Sequence, residues 1–416
     1  MNVVFRLDAS RRIGIGHYAR CRVLADALSE SMDAKCYFVG RDPDGLVAFR
    51  LRESDHRFLV VPEPAEPSSH DAGYPHSHWL LRPETEDAGI ALELLEREGV
   101  RQADWVVVDH YGIGARWHSA VRPVARHILA IDDLADRPLV ADMVLDQNLR
   151  FAAGNDYATR VVPGTRLLAG PRFALLRPEF ASKEKVQRKQ RHLFAAFGGA
   201  DAENWTGRFL EAMHLMAPLD ITADIAITSA HSELDALQET CASLAAATLH
   251  IDHHRVSRLM QGAVLGIGAG GSMTWERCAS GLPSLTWAVA ENQVASLAAL
   301  ERVHAVRLLE AADAASPRRL ATAIIEMLEQ PQTLHAMGQS CRSLCDGKGV
   351  ERVLRACAQA HLRTGAPLMV HTHARNRTGL EVQRVLAEEG VAPDHVQLAH
   401  SGDSTDAEHL SALADA

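Results

Sequence analysis

The chain has 416 residues, a formal net charge of −10 and 47% hydrophobic residues, which allows two or more domains with sizeable cores. The acidic balance excludes a general nucleic-acid surface but not a local phosphate site, which needs only a few donors. The 7 cysteines include no C-x-x-C pair, the amino terminus reads as a strand, and no apolar run approaches the ~18 residues of a membrane span. A disulfide framework, a zinc ribbon, a signal peptide and a membrane partner are therefore not expected, and a cytoplasmic protein is.

Residues 2–7 read as a short buried strand. Helical spacing follows His17, with Cys21, Leu24, Ala25 and Leu28 on one stripe. Between them lies the turn Gly14-Ile15-Gly16-His17. Glycines let the backbone turn sharply and approach a ligand. The helix start offers free N–H groups and partial positive charge to an anion, and a histidine there exchanges protons near neutral pH. A Gly-x-Gly after a first strand is equally a common structural turn. Asp8 ends the strand near His17, where it either orients the imidazole or serves as a turn or cap residue. Further strands are expected at 36–39, 58–61, 105–108, 128–131 and 143–145, with helices such as 17–30 and 88–98. Such alternation predicts a parallel sheet covered by helices. Residues 62–86, rich in Pro, His, Ser and Glu, read as a long loop. Asp109, His110 and Tyr111 end one strand, where α/β folds place chemistry. Asp132 and Asp133 end another and raise a metal reading.

Residues 181–191, with several Lys, Arg and Gln, look like a linker. A second series of strands follows at 192–197, 221–228, 248–251, 264–267 and 284–287. Gly198, Gly199 and Asp201 form its first strand-to-helix turn, with Asp201 also a candidate cap. The run Gly268-Ala269-Gly270-Gly271-Ser272-Met273-Thr274-Trp275-Glu276 joins a strand to a helix that Gly281 and Pro283 close. Strand, glycine loop and serine at a helix start make an anion site. The N–H groups of Gly270, Gly271 and Ser272 are its candidate donors, and the Ser272 hydroxyl either joins them or caps the helix. Glu276, one turn in, is a ligand residue or a first-turn acid favoured by the helix dipole. Asn292 is a cleft residue or a helix N-cap; Gln293 is a weaker candidate. The expected fold is α/β, with two facing Rossmann-like domains at 1–180 and 192–363.

These motifs occur in a recognisable order. R-x-D-A-S-x-x-I-G-x-G-H-x-x-R-C at 6–21 is followed by V-V-D-H-Y at 107–111, I-D-D-L-A at 131–135 and L-D-Q-N at 145–148. L-R-P-E-F at 176–180, F-G-G-A-D at 197–201, G-A-G-G-S-M-T-W-E-R-C at 268–278 and A-E-N-Q at 290–293 complete the set. Over about residues 1–360 the chain resembles the UDP-sugar hydrolase family of pseudaminic acid biosynthesis. The resemblance implies a glycosyltransferase-B-type fold and a monomer that needs neither metal nor cofactor. It implies a small-molecule UDP-sugar as partner, cleaved to UDP and free sugar. It places His17 as general base, Tyr111 and Asn292 at the sugar, and Glu276 on the ribose hydroxyls. The rival readings are a glycosyltransferase of the same fold and a silent nucleotide-sugar binding protein.

Residues 366–416 break the pattern. They read as a strand ending in His371, a helix at 379–389 and a strand at 396–399 before His400. This stretch resembles an internal piece of the phosphotriesterase family, a metal-dependent (β/α)₈ barrel in which His371 and His400 match metal ligands. Two strands and a helix cannot close a barrel, and two histidines make a poor binuclear site. No hydrolase activity is expected of this appendage.

Overall fold

The computed structural model describes residues 1–10, 13–32, 34–52, 54–65, 73–151, 156–181, 186–198, 201–364, 368–371 and 396–399, with side chains as far as Ala356. Apolar runs such as Val3–Leu7 and Trp105–Val108 are buried on both faces, the signature of parallel strands covered by helices. They build a seven-stranded parallel sheet in the order β3-β2-β1-β4-β5-β6-β7. Its strands are β1 (Asn2–Leu7), β2 (Lys35–Gly40), β3 (Arg57–Val60), β4 (Ala103–Asp109), β5 (Ala125–Ile131), β6 (Met143–Asp146) and β7 (Arg166–Ala169). A second, six-stranded parallel sheet has the order β10-β9-β8-β11-β12-β13. It comprises β8 (His192–Ala195), β9 (Thr222–Ile227), β10 (Ala247–Ile251), β11 (Leu265–Ala269), β12 (Ser284–Trp287) and β13 (Val306–Leu308). Strand order reverses between β1 and β4 in the first sheet and between β8 and β11 in the second. Such switch points open a crevice at the carboxyl ends of the strands.

Most expected strands are present within a residue or two at each end; β7 and β13, short edge strands, add to them. The expected loop at 62–86 ends earlier, because the helix Glu84–Arg97 begins inside it, and it carries the 3₁₀ turn Ser77–Leu80. In the linker, the Lys189 N–H donates to the Gly262 carbonyl and the Arg188 side chain to those of Ser280 and Gly281, so this part is tied to the ends of two helices that flank the second sheet.

One expected boundary is corrected. The helix Gly349–Thr364, read as the end of the second domain, crosses back: Val353 and Ala356 sit in the core around Val3, Phe5 and Leu24 of the first sheet. In the opposite direction, Ala174, Leu176 and Phe180 join the core of the second sheet. The two passages touch where a Cβ on Gly349 would lie 2.1 Å from the Ala174 carbonyl oxygen and one on Gly347 2.4 Å from that of Phe180. The appendage supplies a two-stranded parallel sheet, Leu368–His371 with Val396–Ala399, and its first strand lies against helix α1 (Gly16–Met32). His371 ends that strand. His400 and the expected helix at 379–389 lie outside the described residues. Among the described residues no helix is long and apolar enough to cross a membrane.

Candidate functional site

Both switch points contribute to one crevice. At the first, β1 leads into a tight turn in which Gly14 donates to the Ser10 carbonyl at 2.7 Å. Gly14 has φ +85°, a conformation that favours glycine. Gly16 and His17 then open helix α1. Neighbouring β4 ends at Asp109, which pairs in register with Leu7. His17 Nδ1 lies 2.5 Å from Asp109 Oδ1. A carboxylate only accepts, so the proton sits on Nδ1 and the lone pair on Nε2. Nε2 has no partner among the described residues. Asp109 is fully buried and is clasped by Arg20 through Nε at 2.6 Å and NH2 at 2.7 Å. Burial alone would raise its carboxyl; Arg20 and then His17 hold it well below the ordinary range.

This corrects the expectation for Asp8. Its carboxylate does not meet His17 but is held by Arg6 at 2.5 Å, Arg41 at 2.6 Å and His110 at 3.1 Å. Tyr111 does stand by His17, ring edge to face with centroids 4.7 Å apart. Its hydroxyl donates to Asp133 at 2.6 Å and accepts from Asn292 Nδ2 at 3.3 Å. Burial first, then Asp133, pushes the Tyr111 phenol well above its usual range, so it stays a hydrogen-bond donor. Asp133 is also paired with Arg20 at 2.7 Å, and Asp132 with Arg137 at 2.8 Å. The two acids are thus committed to arginines. Among the described residues no group of three or more His, Cys, Asp or Glu is placed to hold a metal ion.

At the second switch point, β11 runs into Gly270, Gly271 and Ser272 before the helix Met273–Ala279. Gly270 is corrected as a donor: its N–H is spent on the Trp287 carbonyl at 3.0 Å, and a Cβ there would strike Leu297 at 2.4 Å. The N–H groups of Gly271 and Ser272 take no partner among the described residues, and the Ser272 side chain makes no cap bond. A Cβ on Gly16 would lie 3.8 Å from Ser272 Oγ. The start of a helix from each sheet is therefore brought to the same place in the crevice, where N-terminal N–H groups favour an anion.

Glu276 Oε1 lies 3.5 Å from Arg177 NH2, and burial raises its carboxyl above the usual value. Asn292 is not a cap: Ala290 holds that position, and the Asn292 amide reaches Tyr111 instead. Gln293 Oε1 accepts from the Val289 N–H at 3.0 Å and so shapes its own loop. Gly198 has φ +99° with open space around it; Gly199 lies outside the described residues. Asp201 accepts from the N–H groups of Trp205 and Thr206, the start of the next helix.

Arg20, Arg177 and Trp79 were not singled out in the sequence, and Asp133 was marked only as half of an acidic pair. Arg20, three residues beyond His17, shares its helix face; Trp79 comes from the 62–86 loop, its ring 5.6 Å from that of Tyr111.

Comparison with known proteins finds two unrelated groups of relatives for this chain. A 263-residue stretch, 62% of this chain, is 26% identical to the UDP-2,4-diacetamido-2,4,6-trideoxy-beta-L-altropyranose hydrolase of Campylobacter jejuni and covers 81% of it. The model of the phosphotriesterase family matches residues 312–416. A 65-residue stretch, 16% of this chain, is 62% identical to the phosphotriesterase homology protein of Mycobacterium tuberculosis, of which it covers 20%. The chain thus spans about a fifth of the phosphotriesterase relatives it matches. Among solved structures, MurG of Acinetobacter baumannii superposes with a TM-score of 0.57 at 14% identity, over 85% of this chain and 98% of that one. UGT2 of Phytolacca americana, complexed with UDP-2fluoro-glucose and pterostilbene, gives 0.60 at 12% identity, over 86% and 99%. The fold is α/β, two Rossmann-like domains of the glycosyltransferase-B type.

Proposed function

We propose that this chain is a UDP-sugar hydrolase. Its substrate would be UDP-2,4-diacetamido-2,4,6-trideoxy-β-L-altropyranose, the sugar nucleotide named for the Campylobacter jejuni relative. The observation that carries the reading is the His17–Asp109 pair at one helix N-terminus, beside the turn in which the N–H groups of Gly271 and Ser272 have no partner among the described residues.

The diphosphate would lie between the two N-termini, where preorganised donors stabilise the charge that develops on leaving. Glu276 would take the ribose hydroxyls. The sugar would extend toward Tyr111 and Asn292. A water molecule attacks the anomeric carbon while His17 Nε2 removes its proton; the C1–O bond to the diphosphate breaks, and its electron pair leaves with UDP. A single displacement inverts C1. Asp109 keeps the imidazole in the required tautomer and stabilises the imidazolium, and Arg20 keeps Asp109 ionised. The same base in the same place would deprotonate a sugar hydroxyl in a transferase, so the acceptor decides between the two.

The test is a proton-NMR time course with this substrate, no acceptor and a chelator present. Hydrolysis yields UDP and the free 2,4-diacetamido sugar. UDP binding without turnover sinks the hydrolase reading and favours a transferase.

A further inference from the structure

Strand β11 reads Leu265-Gly266-Ile267-Gly268-Ala269, with two glycines inside a buried strand. Glycine weakens a strand interior, and its presence there marks a close approach by another group. The approaching group is the side chain of Arg277, from the helix that follows. A Cβ on Gly266 would lie 3.1 Å from Arg277 Cδ, and one on Gly268 would lie 2.5 Å from Arg277 NH1. The two glycines thus make room for one guanidinium, and Arg277 is only 1% exposed. Its NH2 donates to the Ala269 carbonyl at 2.9 Å and to the Thr274 hydroxyl at 3.1 Å. Ala269 and Thr274 flank residues 270–273, so one side chain holds both ends of the turn that presents the Gly271 and Ser272 N–H groups.

What this guanidinium lacks is an anion. Its Nε and NH1 have no partner among the described residues, and no carboxylate among them pairs with it. Glu276, beside it in the chain, turns to Arg177 instead. The two nearby thiols stay neutral. Cys278 is held well above its usual range by its bond with Cys341 and by burial. That bond and the surrounding arginines lower Cys341. Yet Cys341 donates to the Ala305 carbonyl at 3.2 Å, and a carbonyl only accepts, so its proton is retained. Burial brings Arg277 down to about 10, which leaves it a cation at neutral pH. Buried charges are ordinarily paired. The diphosphate of a sugar nucleotide in the crevice would bring the missing negative charge to the other side of the turn.

We infer that Arg277 is a positioning residue of the proposed reaction: it fixes the turn at residues 270–273 and supplies, from behind it, the positive charge whose counter-ion is the substrate's diphosphate. The inference rests on the UDP-sugar reading of the crevice. Arg277 acts through the turn and does not itself touch the ligand. Negative charge grows on the diphosphate as the C1–O bond breaks, so a preorganised cation there favours its departure. The same inference accounts for Gly266 and Gly268, since a side chain at either place would displace the guanidinium.

The experiment is an NMR titration of the full chain with two probes, UDP and uridine, which differ only in the diphosphate. Arg277→Lys keeps the charge and a donor; Arg277→Gln keeps a donor without the charge. Arg277→Gln should weaken UDP by about tenfold or more, the scale of one charge–charge interaction in a partly buried site, with uridine held within about twofold. Arg277→Lys should stay close to wild type with both probes. A thermal melt shows that each variant is folded; if Arg277→Gln is not, Arg277→Met, of similar length and without a polar head, takes its place. Equal loss of UDP in the charged and neutral variants makes Arg277 a structural support alone and overturns the inference. So does a loss shared equally by UDP and uridine, or no loss at all. A wild type that does not bind UDP overturns the UDP-sugar reading itself.

Discussion

His17, Asp109 and Arg20 form a chain in which each member fixes the next. Removing the base should separate chemistry from binding: His17→Phe is expected to lower kcat by about 10²–10⁴ with UDP affinity nearly unchanged, and full turnover in that variant would remove His17 from the mechanism. Asp109→Asn acts one step back. An amide accepts or donates, so the imidazole loses its enforced tautomer, and Arg20 loses one of its two carboxylates, keeping Asp133. A comparable loss of kcat is expected, with a stability cost of about 1.5–3 kcal/mol, the range for a lost hydrogen bond to a charged group, visible in a denaturant titration. A third residue titrates where it can be seen. Burial, then the Asp133 carboxylate, push the Asp146 carboxyl up to about 7 against the pull of Arg150. The folded chain then binds that proton more tightly than the unfolded chain, so stability falls as pH rises from 3.8 toward about 7. Asp146→Asn should flatten this slope, and thermal melts at about pH 5 and about pH 7 measure it; a slope equal to wild type assigns the pH dependence elsewhere.

At the scale of elements, strand alternation decides which acid meets His17. Phe5 and Leu7 pack in the core that contains α1, and so does Val107. Two residues on from Val107, Asp109 faces the same side. Val4 lies in the opposite core with Val106 and Val108, and Asp8 continues that face toward Arg6 and Asp87. The period of two is readable in the sequence; that β1 and β4 are neighbours is not, and it is this pairing that brings residues 17 and 109 together. The same limit explains the unexpected strands. Arg166–Ala169 and Val306–Leu308 are too short to carry a pattern, and they exist because β6 and β12 offer free edges. The crossing of the chain depends on two glycines. Gly349→Ala would force a Cβ to 2.1 Å from the Ala174 carbonyl, backbone against backbone. Overpacking of this kind costs about 1–3 kcal/mol or more, so its melting temperature should drop by several degrees; an unchanged melt would mean that the passages separate freely.

For the whole molecule, the returning helix sets where the first unit ends. Truncation after Thr364 keeps Val353 and Ala356 in the first core and should retain a cooperative melt and UDP binding. Truncation after Lys348 strips that core and should lose both. If the shorter deletion also fails, the strand Leu368–His371 against α1 contributes to stability, and the appendage is more than a passenger. The phosphotriesterase match begins at residue 312, well inside the second sheet's flanking helices, where Leu320, Ile324 and Met327 are core residues. Those residues pack on a parallel sheet of this chain and are not part of a barrel.

The sequence by itself determined the alternation of strand and helix, the two glycine turns and the histidine at a helix start, because each of these is a local property of backbone freedom and hydrophobic period. It also marked Tyr111 and Asn292 as candidates, through the order of motifs. Only the tertiary structure decided which groups meet. Asp109 takes the place expected of Asp8, Gly270 spends its N–H on a neighbouring strand, Asn292 reaches across to Tyr111, and the last helix returns to the first core. All four depend on strand order and on how two sheets face each other, contacts between residues far apart in the chain that no local pattern encodes.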